Sequence, residues 1–248
     1  MNGTELFNFC FGCLPSEISG TVIITPFLPL GKFKEYLKPD GDFSGRLYSG
    51  FTSGEVTVIR SGIGDRLLGD AVLLLREAKA KKILFVGTCG GLNDCAIGDI
   101  LVVTAAFNGE GFSKYHTPGF SIANEIASGE LIKGDPGYAK DLSGFLADRM
   151  DPTKELRSGA VFTIGSLMAE HERNLVHLAK AGFLGVEMEL SAVYRAAAVG
   201  GIPAAGLVAV SDLPLTKGPG ENITSREKNA LNETIESIVR FSSGFAEE

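Results

Sequence analysis

Histidine and cysteine are scarce in this chain, three of the first and four of the second, and the scarcity narrows its chemistry. Cys10 and Cys13 have the two-residue spacing of zinc and thiol-redox motifs, but a structural zinc needs a second pair at similar spacing. Cys89 and Cys95 are wider apart, in a Gly-rich stretch. Reduced, structural thiols and no metal are the expectation. Long apolar runs are missing as well. The longest uncharged one, Ala196 to Val210, is broken by Gly200, Gly201 and Pro203 and is too short to span a bilayer. Met1 to Phe7 lack the basic region and long apolar segment of a secretory signal. A cytoplasmic location with no membrane partner is therefore expected. Nor is there a dense basic run: Lys and Arg number 23 against 30 Asp and Glu, for a net charge of -7. That balance argues against tracking a phosphate backbone, so nucleic acid is excluded as a partner.

What the chain does contain is an alternation of β-rich and helical segments, which makes its class α/β. Its 248 residues suffice for one domain with a substantial core, read as 1–248 with residues 1–19 as an irregular lead-in. Thr21 to Thr25 reads as a first strand, ended by Pro26 and Pro29. Lys32, Lys34 and Lys38 follow on a short helical segment. Arg46 to Arg60 holds two β-rich runs split at Ser53-Gly54, a hairpin pattern. From Asp65 to Lys79 apolar residues recur at three and four, predicting an amphipathic helix that leads into a strand at Lys82 to Val86. This strand-helix-strand unit predicts a parallel pair. The strand ends in Gly87-Thr-Cys-Gly-Gly91, which reads either as a tight turn or as a backbone cradle for an anion, with Thr88 adding a hydroxyl. Ile100 to Phe107 is a further strand, and a long loop runs from Asn108 toward Pro136. Helix is expected at 138–150, strand at 159–164, helix at 170–181, and a final helix from about Thr224 to Phe245.

The stretch from Gly182 to Asp212 organises the rest. It reads as strand, helix, strand: one apolar run stops at Glu187-Met188-Glu189 and the other at Ser211-Asp212. In an open α/β sheet, ligands bind beyond the carboxyl ends of the strands, so Glu189 and Asp212 would face one cleft. Carboxylates at such positions also cap helices or turns, and that alternative stays open for each.

With Gly87-Thr-Cys-Gly-Gly91, Val186-Glu-Met-Glu189 and Val210-Ser-Asp212 in this order, the sequence resembles the nucleoside phosphorylase superfamily. That superfamily holds purine nucleoside and uridine phosphorylases together with methylthioadenosine/S-adenosylhomocysteine nucleosidases. The resemblance covers most of the chain from about Thr21 and implies a mixed, partly closed barrel-like sheet flanked by helices. It implies a nucleoside phosphorylase that needs no cofactor and takes phosphate as co-substrate; a nucleosidase-type hydrolase and a non-catalytic nucleoside-binding protein are the alternatives. On this resemblance Glu189 receives the ribose 2′- and 3′-hydroxyls, with Met188 against the sugar. Asp212 supports departure of the base, assisted by Arg226. Arg46, lent across a dimer interface, and Thr88 contact phosphate, which implies a homo-oligomer, a dimer or trimer of dimers. Cys89, Gly90, Met168 and Glu187 lie at the base.

Departures from the pattern concentrate at the phosphate end. The family's first-strand Gly-Asp-Pro motif with its arginine is replaced by Thr25-Pro-Phe-Leu-Pro29, and a second expected arginine is Phe85. Lys32 or Lys34 would have to substitute. The glutamate with which the hydrolases activate water is not found at 25–30 either. Asn108 to His116 resembles a base-recognition loop of uridine phosphorylase-like relatives, and Ser166 to Glu170 occupies the base-stacking position. The Gln and Arg pair that reads uracil is not evident, which favours a purine or modified base. His116 and Phe112 are placed at the 5′ end of the sugar.

Overall fold

The computed structural model describes residues 2–151, 155–217 and 223–248. Ten strands lie among them: β1 Ser19–Thr25, β2 Gly41–Ser44, β3 Ser49–Ser53, β4 Val56–Arg60, β5 Lys79–Gly91, β6 Ile100–Gly109, β7 Leu131–Lys133, β8 Leu156–Ile164, β9 Gly185–Glu187 and β10 Ala204–Asp212. The helices are α1 Gly3–Phe11, α2 Leu30–Phe33, α3 Asp65–Leu74, α4 Phe112–Tyr115, α5 Ile122–Ser128, α6 Pro136–Ala147, α7 Glu172–Lys180, α8 Leu190–Gly200 and α9 Ser225–Glu247.

The strands form one mixed sheet in the order β10-β6-β8-β9-β5-β1-β4-β3-β2, with β7 paired to β6 off this path, and β10 also pairs with β5. Five strands, β5, β10, β6, β8 and β9, thereby close into a barrel, while β1, β4, β3 and β2 extend from β5 as an open wing. Apolar side chains alternate across this sheet as the period of two requires. One set packs under α1, α3 and α8 and the other under α2, α6 and α9; a third cluster lies at the β6–β8 end with α5 and α7.

Four expectations are corrected. The lead-in is ordered: Asn2 caps α1, its side chain accepting from the Glu5 N–H while the Glu5 carboxylate accepts from the Asn2 N–H. Phe7 stacks on Phe11 at 4.5 Å and Phe11 packs on Tyr48 at 4.6 Å, so this helix closes the core beside the wing. Its nine residues are too few for a periodic signal to stand out. Second, Gly87 to Gly91 is no turn but the last part of the 13-residue β5. A Cβ on Gly91 would lie 2.6 Å from Val210 Cγ1, and one on Gly90 3.1 Å from Pro214, so these glycines serve close strand packing. Third, the long loop after Asn108 contains α4, α5 and β7. Fourth, β4 and β5 run parallel but are not adjacent, because β1 lies between and pairs with both.

Candidate active site

The acid-bearing strand ends meet on β5. Val186 pairs with Gly90 from one edge and Asp212 pairs with the same Gly90 from the other. The segments Glu187 to Glu189 and Ser211-Asp212 therefore flank the tail of a single strand, and the Cys89 thiol, buried there, lies in the field of both Glu187 and Asp212. Burial pushes that thiol well up, and its side chain belongs to the core; of Cys89 and Gly90, backbone alone is left to meet a base.

Three acids that look alike in sequence have different tasks here. Glu187 is a cap. Its carboxylate accepts from the N–H groups of Glu189 and Leu190, both at 2.7 Å, and from the Thr163 hydroxyl. Thr163 Oγ1 in turn accepts from Ser191 N–H at 2.9 Å, and the Ser191 hydroxyl donates to Glu110 at 2.6 Å. The free N–H groups at the start of α8 are thus satisfied by residues of β8 and β9.

Glu189 stands at the N-cap position of α8, yet its side chain makes no capping bond. It turns away to accept the Gly64 N–H at 2.7 Å. Gly64 has φ +113° and ψ 148°, a conformation essentially confined to glycine, and this aims its N–H at the carboxylate. Burial, and after it the charge of Glu187, raises the Glu189 carboxyl well above the ordinary carboxylate range. Burial raises the Glu187 carboxyl as well, against the pull of its three donors, so this pair resists carrying two negative charges. A cavity of about 310 Å³ opens beside Gly64, lined by Ile63, Asp65, Arg66, Phe112 and Gly165 among others. Phe112 in turn packs against His116, and His116 Nε2 lies 3.1 Å from the Ser166 hydroxyl.

Asp212 caps nothing either. Its Oδ1 accepts from the Ser211 hydroxyl at 2.7 Å, and its buried Oδ2 has no hydrogen-bond partner among the described residues. Burial raises its carboxyl, against the opposing pull of Ser211. The Glu170 carboxyl, not singled out from the sequence, is pushed to about 7 by burial and, after it, by the charge of Asp212.

The remaining expected residues are more scattered. Met188 is partly buried against the β6–β8 cluster. Met168 is 77% exposed. Thr88 is half-buried on β5. Arg46 is exposed on the β2–β3 turn, its N–H bonded to the Phe9 carbonyl of α1. Arg226 is exposed on the first turn of α9 and makes no ion pair among the described residues; its neighbour Glu227 takes Lys217 at 2.5 Å. The glycines of the loop after Pro214, Gly218 and Gly220, lie outside the described residues. Neither proposed substitute cation is free: Lys34 pairs with Asp42 at 2.6 Å and Lys32 lies 4.0 Å from Glu236. Phe85 is fully buried in the core.

A family model described as the phosphorylase superfamily matches residues 31–245. The DeoD-type purine nucleoside phosphorylase of a Bacillus cereus strain is 32% identical over 167 residues, 66% of this chain and 64% of that protein, so the match spans just under two thirds of its length. Uridine phosphorylase from Vibrio fischeri ES114 superposes with a TM-score of 0.73 at 20% identity, covering 93% of this chain and 90% of the other. AMP nucleosidase from Bacteroides thetaiotaomicron VPI-5482 gives 0.71 at 21% identity over 95% of each chain. The 5′-methylthioadenosine/S-adenosyl homocysteine nucleosidase of Campylobacter jejuni gives 0.71 at 18% identity, covering 92% and 99%. At such identities these structures speak for a shared fold.

Proposed function

Because the chain belongs to the phosphorylase superfamily, we propose that it cleaves the N-glycosidic bond of a nucleoside, a purine nucleoside by preference, and passes the ribosyl group to phosphate. The observation that carries this reading is the pairing of Val186 and Asp212 with one residue, Gly90, which sets a sugar-type carboxylate and a base-type carboxylate on either side of one strand. Breaking the bond leaves its electron pair on the base and positive charge on the sugar. Asp212, its carboxyl raised by burial, is suited to give the departing base a proton. Glu189 has one lone-pair direction committed to Gly64 and the rest available to two ribose hydroxyls. Those hydroxyl donors favour its anionic form, so substrate binding shifts the proton off Glu189 and places negative charge near the developing oxocarbenium. A phosphate oxygen then bonds to the sugar carbon, giving free base and ribose 1-phosphate. The DeoD-type relative supports the purine preference and the phosphate acceptor.

A second reading, hydrolysis, is favoured by the burial of Phe85 where the family carries an arginine and by the ion-paired state of Lys32 and Lys34. In the first reading Arg46 is supplied to a neighbouring copy and the working unit is a homo-oligomer. Base release from a nucleoside panel, with phosphate varied, tests both. Phosphorolysis requires a rate that saturates with phosphate and a sugar 1-phosphate product; a phosphate-independent rate yielding free ribose selects hydrolysis. No release from any nucleoside, with ligand still bound, identifies a binding protein. Asp212→Asn should abolish turnover and keep binding.

A further inference from the structure

In a chain whose net charge is -7, one cavity is lined by basic side chains and by no carboxylate. It lies between the segment that follows β6, which contributes Tyr115 and Ser121, and the start of α7, which contributes His171, Arg173, Asn174 and His177. Arg173 and His177 stand four residues apart and so share a face of that helix. His171 holds the N-cap position without capping it. None of these three side chains is spent on a hydrogen bond or ion pair among the described residues, so two of the chain's three histidines meet an arginine here with their donors uncommitted. Asn174 is only 7% exposed; its Nδ2 gives one hydrogen to the Ala169 carbonyl at 2.9 Å and keeps the other. The acids of the adjoining segments do not fill the space: Glu125 of α5 is paired with Lys114 at 2.5 Å, and Glu172 is exposed and outside the lining.

The cavity measures about 120 Å³, well under the roughly 300 Å³ at which pockets for organic ligands begin, so its size suits a small ion. Guanidinium, imidazole and amide N–H groups that arrive from separate positions can each take a different oxygen of one tetrahedral anion, whereas a planar carboxylate offers only two. We propose that this cavity binds a phosphate-type oxyanion, with Arg173 supplying the charge and His171, His177 and Asn174 the surrounding donors. The site is separate from the one that holds Glu189 and Asp212, and its lining shares no residue with the cavity beside Gly64. The short helix α4 has a residue in each, Phe112 in the one and Tyr115 in the other. An anion held there would link the segment after β6 to α7. Nothing in it requires that the chain turn over nucleosides.

The test titrates inorganic phosphate into the full chain and follows the three histidine side chains by heteronuclear NMR, with His171→Gln and His177→Gln for assignment. The His171 and His177 resonances should shift with phosphate and with sulfate, and far less with acetate or with chloride at matched ionic strength. Arg173→Gln should weaken the response by about tenfold or more, the range of one charge-assisted hydrogen bond. Its Tm in phosphate-free buffer should match wild type, because the side chain is exposed. Arg173→Lys, which keeps the charge but not the planar fork, should fall between the two. Arg46→Ala should leave the response intact. Glycerol 3-phosphate in a parallel titration separates the free ion from the phosphoryl end of a larger ligand: weaker binding than phosphate selects the first, tighter binding the second, and either keeps the site. Resonances that follow phosphate no further than chloride overturn the assignment, as does a response that Arg173→Gln preserves or that Arg46→Ala abolishes.

Discussion

Gly64→Ala puts the sugar end of the site to the sharpest test. A Cβ at this position meets no atom within 4 Å, so the substitution introduces no clash. Its cost is conformational: φ +113° with ψ 148° is closed to alanine, and holding it there costs about 1–3 kcal/mol. The alternative is for the backbone to relax to negative φ, which swings the N–H away from Glu189 and forfeits a 2.7 Å hydrogen bond. A bond of that kind to a charged acceptor contributes about 1.5–3 kcal/mol and one to a neutral acid nearer 1 kcal/mol. Because Glu189→Ala removes a buried titratable group along with the acceptor, its own effect has no decisive sign. The coupling does. In a double-mutant cycle read by urea unfolding, Gly64→Ala and Glu189→Ala should be non-additive by about 1 kcal/mol or more. Gly64→Ala should also weaken nucleoside binding, because the carboxylate loses the donor that orients it. Additivity within about 0.5 kcal/mol, or an alanine variant as stable as wild type, would refute the argument.

Two further outcomes follow from the site. The Glu170 carboxyl, pushed to about 7, binds a proton in the folded chain that the unfolded chain has already lost. Its contribution to stability is full below the ordinary carboxylate pKa and is lost as pH rises through about 7, so Tm should decline between about pH 5 and 8 with a slope that Glu170→Gln reduces; a slope unaltered by that variant contradicts the assignment of the burial effect. Arg46→Ala and Asp212→Asn, each inactive alone, should regain about a quarter of wild-type activity when refolded together, since half of the dimers would be mixed and carry one intact site each. Activity in the Arg46→Ala protein alone, or none in the mixture, excludes a shared site.

The alternation of strands and helices was legible because buried strands and amphipathic helices carry their periods in the residues, and both acid-bearing strand ends fell where the apolar runs stopped. The barrel was not legible from those periods. Its closure depends on β5 pairing with β10 and β9 on opposite edges, and nothing local in Gly87 to Gly91 separates a bend from a crowded strand; the Cβ distances at Gly90 and Gly91 do. The same limit applies to the acids. Glu187 and Glu189 are two residues apart in one motif, and only the positions of Thr163 and Gly64, brought in from other strands and loops, distinguish a cap from a free carboxylate. Glu170 does not stand out in the residues because its significance depends on Asp212, distant in sequence. At the phosphate end the departures visible in the residues persist in three dimensions, with Phe85 in the core and the lysines committed at the surface.

Since Gly90 is the common partner of Val186 and Asp212, the separation of the Glu187 to Glu189 segment from Asp212 is quantised by strand pairing. One residue added or removed between Ile83 and Gly90 would carry every side chain of that span to the opposite face and misalign both acids together. The connections after β6 and β8 hang outside this frame, so a change of length there leaves the register at Gly90 untouched.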